Sequence, residues 1–241
     1  NAGVVADAYT FGSLTWSHGT HNVTSPIALV PVSIAAPAEV SDSGTDGSLS
    51  FDVTFGYAGD YTAAPHGLEP ALMTGGNVPD DPGDSFAPFG PGTTLHFINV
   101  PAGSAYARFS LFDAYTDGND DLDLYVYYPN GAFAGGSGSG TSAEQDDVAT
   151  PPPGDYYEFV HGWGTDGPDA NNTQRRRAGP ATPGSANMTG APSTATATIG
   201  GSETLTVDWF GLAADTKYLG AVSHSDATDI LGLTLVAVTT E

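Results

Sequence analysis

Residues 113–131, DAYTDGNDDLDLYVYYPNG, decide how the chain is read. Asp117, Asn119, Asp120, Asp121 and Asp123 crowd into seven residues, and a strictly alternating run follows at once. Leu122, Leu124 and Val126 fall on one side of an extended chain, and Asp121, Asp123, Tyr125 and Tyr127 fall on the other. That is a strand with one face for a core. Similar runs recur along the chain: SLSFDVTF (48–55), TTLHFINV (93–100), YARFSLFD (106–113), GDYYEFVHGWG (154–164) and ETLTVDWFGL (203–212). Each is bounded by Gly, Pro or Asp, and no long helical period occurs. With 32 glycines and 18 prolines in 241 residues, turns are frequent and strands short. The fold class is all-β, built from immunoglobulin-like and jelly-roll-like antiparallel β-sandwiches.

The acidic run asks for a chemical explanation. Asp117, Asn119 and Asp121 occupy positions 1, 3 and 5 of a calcium-loop pattern, but Leu122 replaces the glycine at position 6 and Tyr128 the acid at position 12. It is not an EF-hand. Asp121 and Asp123 share a strand face, with carboxylates about 7 Å apart from the strand rise. The loop HGWGTDGPDANN (161–172) offers Asp166, Asp169 and Asn171 as a second side. A calcium ion held by Asp117, Asn119, Asp121, Asp123, Asp166 and Asp169 is one reading. A solvated acidic turn without an ion is the other. Scattered histidines and the absence of cysteine argue against zinc.

Charge narrows the function classes. Twenty-eight acidic side chains against five basic ones give a formal charge of −23. Such a field suits cations and repels nucleic acid and anionic membranes. Without cysteine there are no disulfides, thiolate metal sites or thiol catalysis. No apolar run is long enough to span a membrane. The opening NAGVVADAYTFGS has neither a basic region nor an apolar core, so the chain is expected to be a piece processed from something longer.

Two stretches mimic catalytic motifs. HGTH (18–21) resembles the histidine motif of subtilisin-like proteases, and GTSA (140–143) nearly matches their serine motif. Both residues would need to start helices. His21 is followed by NVTSPIALVPV and Ser142 by AEQDDVATPPPG, neither of which continues as one. Catalysis by His21 and Ser142 is therefore not expected, and no carboxylate pair stands out among the 28 acids. Trp16, Trp163 and Trp209 read as core residues before sugar platforms, and Tyr125, Tyr127 and Tyr128 as sandwich packing before a ligand face. Asn22, Asn171 and Asn187 begin Asn-X-Thr sequons, and Arg175–Arg177 hold three of the five basic side chains.

The organisation follows from these pieces. Residues 1–33 hold a hairpin whose two strands cannot stand alone in water. Residues 34–70 carry immunoglobulin-like strands, 71–92 a Pro/Gly/Asp linker, 93–175 a compact sandwich, and 176–241 a loop followed by further immunoglobulin-like strands. A weak repeat links 36–63 to 191–220, as two related halves flanking a different centre.

FGSLTWSHGTHNVTSPIALVP (11–31) looks like the last two strands of the fibronectin type III-like domain of bacterial secreted subtilisin-like serine proteases. LFDAYTDGNDDLDLYVYYPNG with YEFVHGWGTDGPDAN resembles the pre-peptidase C-terminal domain of the same proteases, and the final LTVDWFGLAADTKYLGAVSHSD is similar to their Ig-like terminal segment. The resemblance implies a non-catalytic, calcium-stabilised accessory module, secreted or at the cell surface. Its partners would be the parent protease domain, a polymeric extracellular substrate, or neighbouring subunits in a strand-complemented filament. The chain departs from that family by lacking a catalytic domain. It also has NTQRRRAGPATPG (172–184) where an apolar closing strand is expected.

Overall fold

A computed structural model describes residues 6, 8–167, 169–178, 187–191 and 194–240. Along the chain the strands are β1 (Thr10–His18), β2 (His21–Leu29), β3 (Ile34–Ala35), β4 (Glu39–Ser43), β5 (Gly47–Phe55), β6 (Gly59–Pro70) and β7 (Leu72–Pro79). The middle of the chain adds β8 (Thr93–Val100), β9 (Tyr106–Leu111), β10 (Asp121–Tyr127), β11 (Phe133–Ser137), β12 (Gln145–Ala149), β13 (Gly154–Gly164) and β14 (Asp169–Ala178). The last part gives β15 (Met188–Ala191), β16 (Thr194–Ala197), β17 (Ser202–Trp209), β18 (Lys217–Ser225) and β19 (Ile230–Thr239). The fold is all-β, and the one helical piece among the described residues is a 3-10 turn at Asp113–Tyr115.

The two immunoglobulin-like halves interleave into one sandwich. One sheet runs β15-β17-β5-β3 and the other β16-β6-β18-β19-β4. The repeated strands pair with each other: β5 and β17 are antiparallel, with Leu49 opposite Val207 and Phe51 opposite Leu205. Their alternation sends Phe51, Val53, Phe55, Leu205, Val207 and Trp209 into a shared core with Tyr61, Val236 and Val238. Burying each such side chain is worth roughly 1.5–3 kcal/mol. Strand β4 joins β19 in parallel, a pairing that needs the long intervening chain.

Strands β7 to β14 form a second, inserted sandwich. Its sheets are β11-β10-β13-β8 and β12-β9-β14-β7. Leu122, Leu124 and Val126 of β10 enter its core with Ile98, Phe109, Tyr156 and Val160. Two expectations are corrected here. The segment 71–92 is not bare linker, since β7 pairs with β14 from Pro79 to Leu72. The run NTQRRRAGPATPG is not all loop, because β14 carries Arg175–Arg177 between β7 and β9. Backbone pairing on both edges fixes that strand where side-chain alternation gives no signal. Residues 179–186 of the expected loop lie outside the described residues.

The sandwiches meet along β18 and β19. Leu219, Ala221 and Leu235 pack against Ala105 and Tyr106, so β18 is buried on both faces. Arg108, only 13% exposed, donates to Asp147 of its own sandwich (2.8 Å) and to Glu39 of the other (2.7 Å). The hairpin β1–β2 joins no other sheet among the described residues.

Candidate acidic and aromatic site

The alternation of β10 turns Asp121, Asp123, Tyr125 and Tyr127 away from the core. Across β13, Asp123 faces His161, Tyr125 faces Phe159 and Tyr127 faces Tyr157. An outer sheet face normally meets water, yet Asp123 and His161 are buried. The cover is residues 80–92. Asp81 accepts hydrogen bonds from His161 Nε2 (3.0 Å), Gly83 N (3.0 Å) and Ser85 N (3.2 Å). Those three donors, His161 first, hold the Asp81 carboxyl below the usual carboxylate range. Phe86 stacks on Tyr125 at 3.6 Å between ring centroids, and Phe89 meets the edge of Phe159 at 5.1 Å. Gly162 N donates to Gly92 O (2.9 Å), closing the strap.

The loops at the acidic end of β10 do come together. Asp120 Oδ1 accepts from Asp166 N (3.1 Å), and Asp166 Oδ2 accepts from Asn119 N (3.2 Å). Gly118 sits at φ +74°, and any Cβ there would collide with the Asp166 carboxylate, so glycine is required. Within 161–172 it is Asp166 that meets the acidic run, through Asn119 and through Asp120, which the six candidate ligands omit. Asp117, Asn119 and Asp166 lie at this clamp; Asp121 and Asp123 stand further along with buried Glu144 nearby. Asp169 begins β14 opposite Pro79, and its side chain lies outside the described residues.

Burial dominates the electrostatics. It raises the Asp120 carboxyl, the Asp166 amide partly offsets this, and the charges of Asp166 and Asp117 add to the rise. Burial also raises Asp121, helped by Asp123 and Glu144, and raises Asp123 against the lowering effect of Tyr125 and His161. Two carboxylate oxygens, Asp120 Oδ2 and Asp121 Oδ1, are buried with no hydrogen bond. No three acidic or histidine side chains among the described residues converge closely enough to hold an ion as they stand.

The protease-like residues are used otherwise. Ser142 is fully buried, and its hydroxyl donates to Asp120 O (2.8 Å). His21 is exposed at the tip of the separate hairpin, with Nδ1 3.4 Å from Thr20 Oγ1. Glu144, also missed, accepts from Ser137 Oγ, Ser139 N (2.7 Å) and Ser139 Oγ (2.5 Å). Its signal was an acid directly after the rejected GTSA stretch.

Fold and site together define an all-β protein with an acidic loop clamp beside a strapped aromatic sheet. No family model matches the chain. A stretch of 133 residues is 31% identical to pyrolysin of Pyrococcus furiosus; it covers 55% of this chain but 9% of pyrolysin. The chain therefore spans less than a tenth of that relative's length. Two solved structures of a glycosyl hydrolase family 2 member from Bacteroides cellulosilyticus each cover 61% of this chain, at TM-scores of 0.25 and 0.24 and 8% and 7% identity. Overlap that low carries no argument about this chain. No helix among the described residues is long and apolar enough to cross a membrane.

Proposed function

We propose that the chain is a non-catalytic accessory module of a secreted subtilisin-like protease, stabilised by calcium and serving to fold, target or attach the protease to a polymeric extracellular substrate or surface. The observation that supports it most directly is the fate of Ser142. The only serine with a protease-like context is spent holding the Asp120 loop, with the motif histidine on a different sheet. Similarity to a small part of pyrolysin points the same way. Calcium fits the donor chemistry: Asp117, Asn119, Asp120, Asp121 and Asp166 all carry side-chain oxygens, and Asp120 Oδ2 and Asp121 Oδ1 are buried with no hydrogen bond. Asp117, Asn119, Asp120, Asp121 and Asp166 would hold the ion, which would neutralise carboxylates that otherwise repel. Asp123 Oδ2 faces Tyr125 and His161 instead.

The test is incubation of the purified chain with casein, together with co-sedimentation with insoluble protein fibres. We expect no hydrolysis and pelleting with the fibres. Hydrolysis that disappears in Ser142→Ala overturns the reading.

The hairpin favours a second reading, a subunit that assembles by strand pairing. Leu14, Trp16, Val23, Ile27 and Leu29 share one exposed face of β1–β2, and no Asp, Glu, Lys or Arg occurs from Tyr9 to Ala38. A monomer in size-exclusion chromatography at high concentration would exclude it.

A further inference from the structure

A cleft of about 500 Å³ opens on the outer face of the inserted sandwich, beside the end of the strap. Tyr125, Phe133 and Trp163 form its walls. Phe133 and Trp163 are 57% and 41% exposed, a large apolar surface to leave in water. Asp123 lines the same cleft, as does the glycine- and serine-rich edge Gly136–Ser139.

Asp123 is more than nine-tenths buried, yet only one of its oxygens is spoken for. Oδ2 accepts from Tyr125 O–H (3.1 Å) and lies 3.8 Å from His161 Nδ1. Oδ1 faces Gly138, where a Cβ would come within 2.7 Å of it. A glycine at 138 therefore keeps the space beside Oδ1 clear. At 136 a Cβ would fall 2.8 Å from Leu124 O and 3.2 Å from the Tyr125 ring, so glycine lets the edge strand lie close there too.

The chemistry of the lining selects the ligand. The hydroxyl donors are already committed: Tyr125 to Asp123, and Ser137 and Ser139 to Glu144. What remains is a carboxylate oxygen, hydroxyl lone pairs, aromatic faces and the single indole N–H of Trp163. An anion is excluded by Asp123 and by the −23 charge of the chain. A sugar would find few donors for its oxygens. Calcium needs six to eight oxygens, and aromatic walls do not supply them. An organic cation matches every part: a desolvated carboxylate for its N–H groups and ring faces for its charge. We propose that this cleft binds an alkylammonium or guanidinium group, either as a free amine or as a Lys or Arg side chain of another polypeptide.

The proposal stands apart from the calcium reading, because it uses neither Asp120 nor Asp166. Calorimetric titration of the whole chain in a chelator buffer tests it. The probes are n-butylammonium and n-butylguanidinium, with n-butanol and methyl glucoside as neutral controls. A lysine-containing peptide and its acetyl-lysine counterpart complete the set. Saturable binding of the two cations is expected, at least tenfold tighter than either control. The lysine peptide binding more tightly than n-butylammonium would place the cation on a polypeptide; equal binding would assign a free amine. Asp123→Asn should abolish binding. Should that variant not fold, Trp163→Ala and Phe133→Ala, both at exposed positions, should each weaken it about three- to tenfold, while Asp120→Asn leaves it unchanged. Neutral controls binding as tightly as the cations overturn the proposal. So does unchanged affinity in both aromatic variants.

Discussion

Glu158 provides the sharpest physical test of the inserted sandwich. It sits on β13, opposite Val126 on one side and His96 on the other, and is 1% exposed on the core face. Burial pushes its carboxyl from an ordinary 4.5 up to about 8. A carboxyl raised in the folded state favours folding while protonated. Its contribution is fully present below about pH 4.5 and is lost as pH rises through about 8. At about 1.4 kcal/mol per pH unit the ceiling of that loss is about 5 kcal/mol. Water penetration around a buried charge lowers this, and about 2–4 kcal/mol is the expected size. Glu158→Gln keeps shape and neutrality at every pH. At pH 5 the variant and parent should unfold at similar urea concentrations. At pH 8 the variant should be more stable by that 2–4 kcal/mol, followed by circular dichroism. Other carboxylates titrate identically in both proteins, so the difference in pH slope isolates residue 158. Parallel slopes, or a variant that is destabilised equally at all pH values, would refute the account.

His224 should behave oppositely. Thr234 donates its hydroxyl proton to Pro37 O (2.8 Å), so it accepts from His224 Nε2 (2.9 Å), while His224 Nδ1 accepts from Tyr61 O–H (2.8 Å). The neutral ring is satisfied, and burial depresses its pKa to about 4. Its stabilising effect is present above about pH 6.5 and is lost as pH falls toward 4, by at most about 3 kcal/mol before solvent screening. An NMR titration should show the ring neutral down to about pH 5, and a midpoint near 6.5 would contradict this. Gly47→Ala should lower thermal stability by about 1–3 kcal/mol, because a Cβ there enters the buried ring of Trp209; an unchanged melting point would show that the ring can move.

Strands with a clean alternation were legible from the sequence. SLSFDVTF, DLDLYVY and ETLTVDWF place apolar residues on one face, and each is a strand with that face in a core. Strands held by backbone pairing were not legible. QDDVA is β12 because it lies along β9, and the arginine run is β14 because it fills the gap between β7 and β9. The linker was misread for a related reason. LMTGGNVP alternates poorly, and Phe86 and Phe89 are apolar for the sheet they cover, so neither carries a period of its own. At the acidic site, Asp166 was among the expected residues, and it does meet the acidic run. The choice of Asp120 did not follow from the sequence, since five neighbouring polar residues differ only in which way a turn aims them.

The proposed calcium ion would tie the Asp120–Asp166 clamp. Thermal unfolding of the chain in millimolar calcium and in chelator measures it most directly. At a calcium concentration a hundredfold above the dissociation constant, the added stability is about 2.7 kcal/mol, or a rise of roughly 5–10 °C for a chain of this size. The account predicts that rise in the parent and its disappearance in Asp120→Asn. An identical midpoint with and without calcium would contradict it.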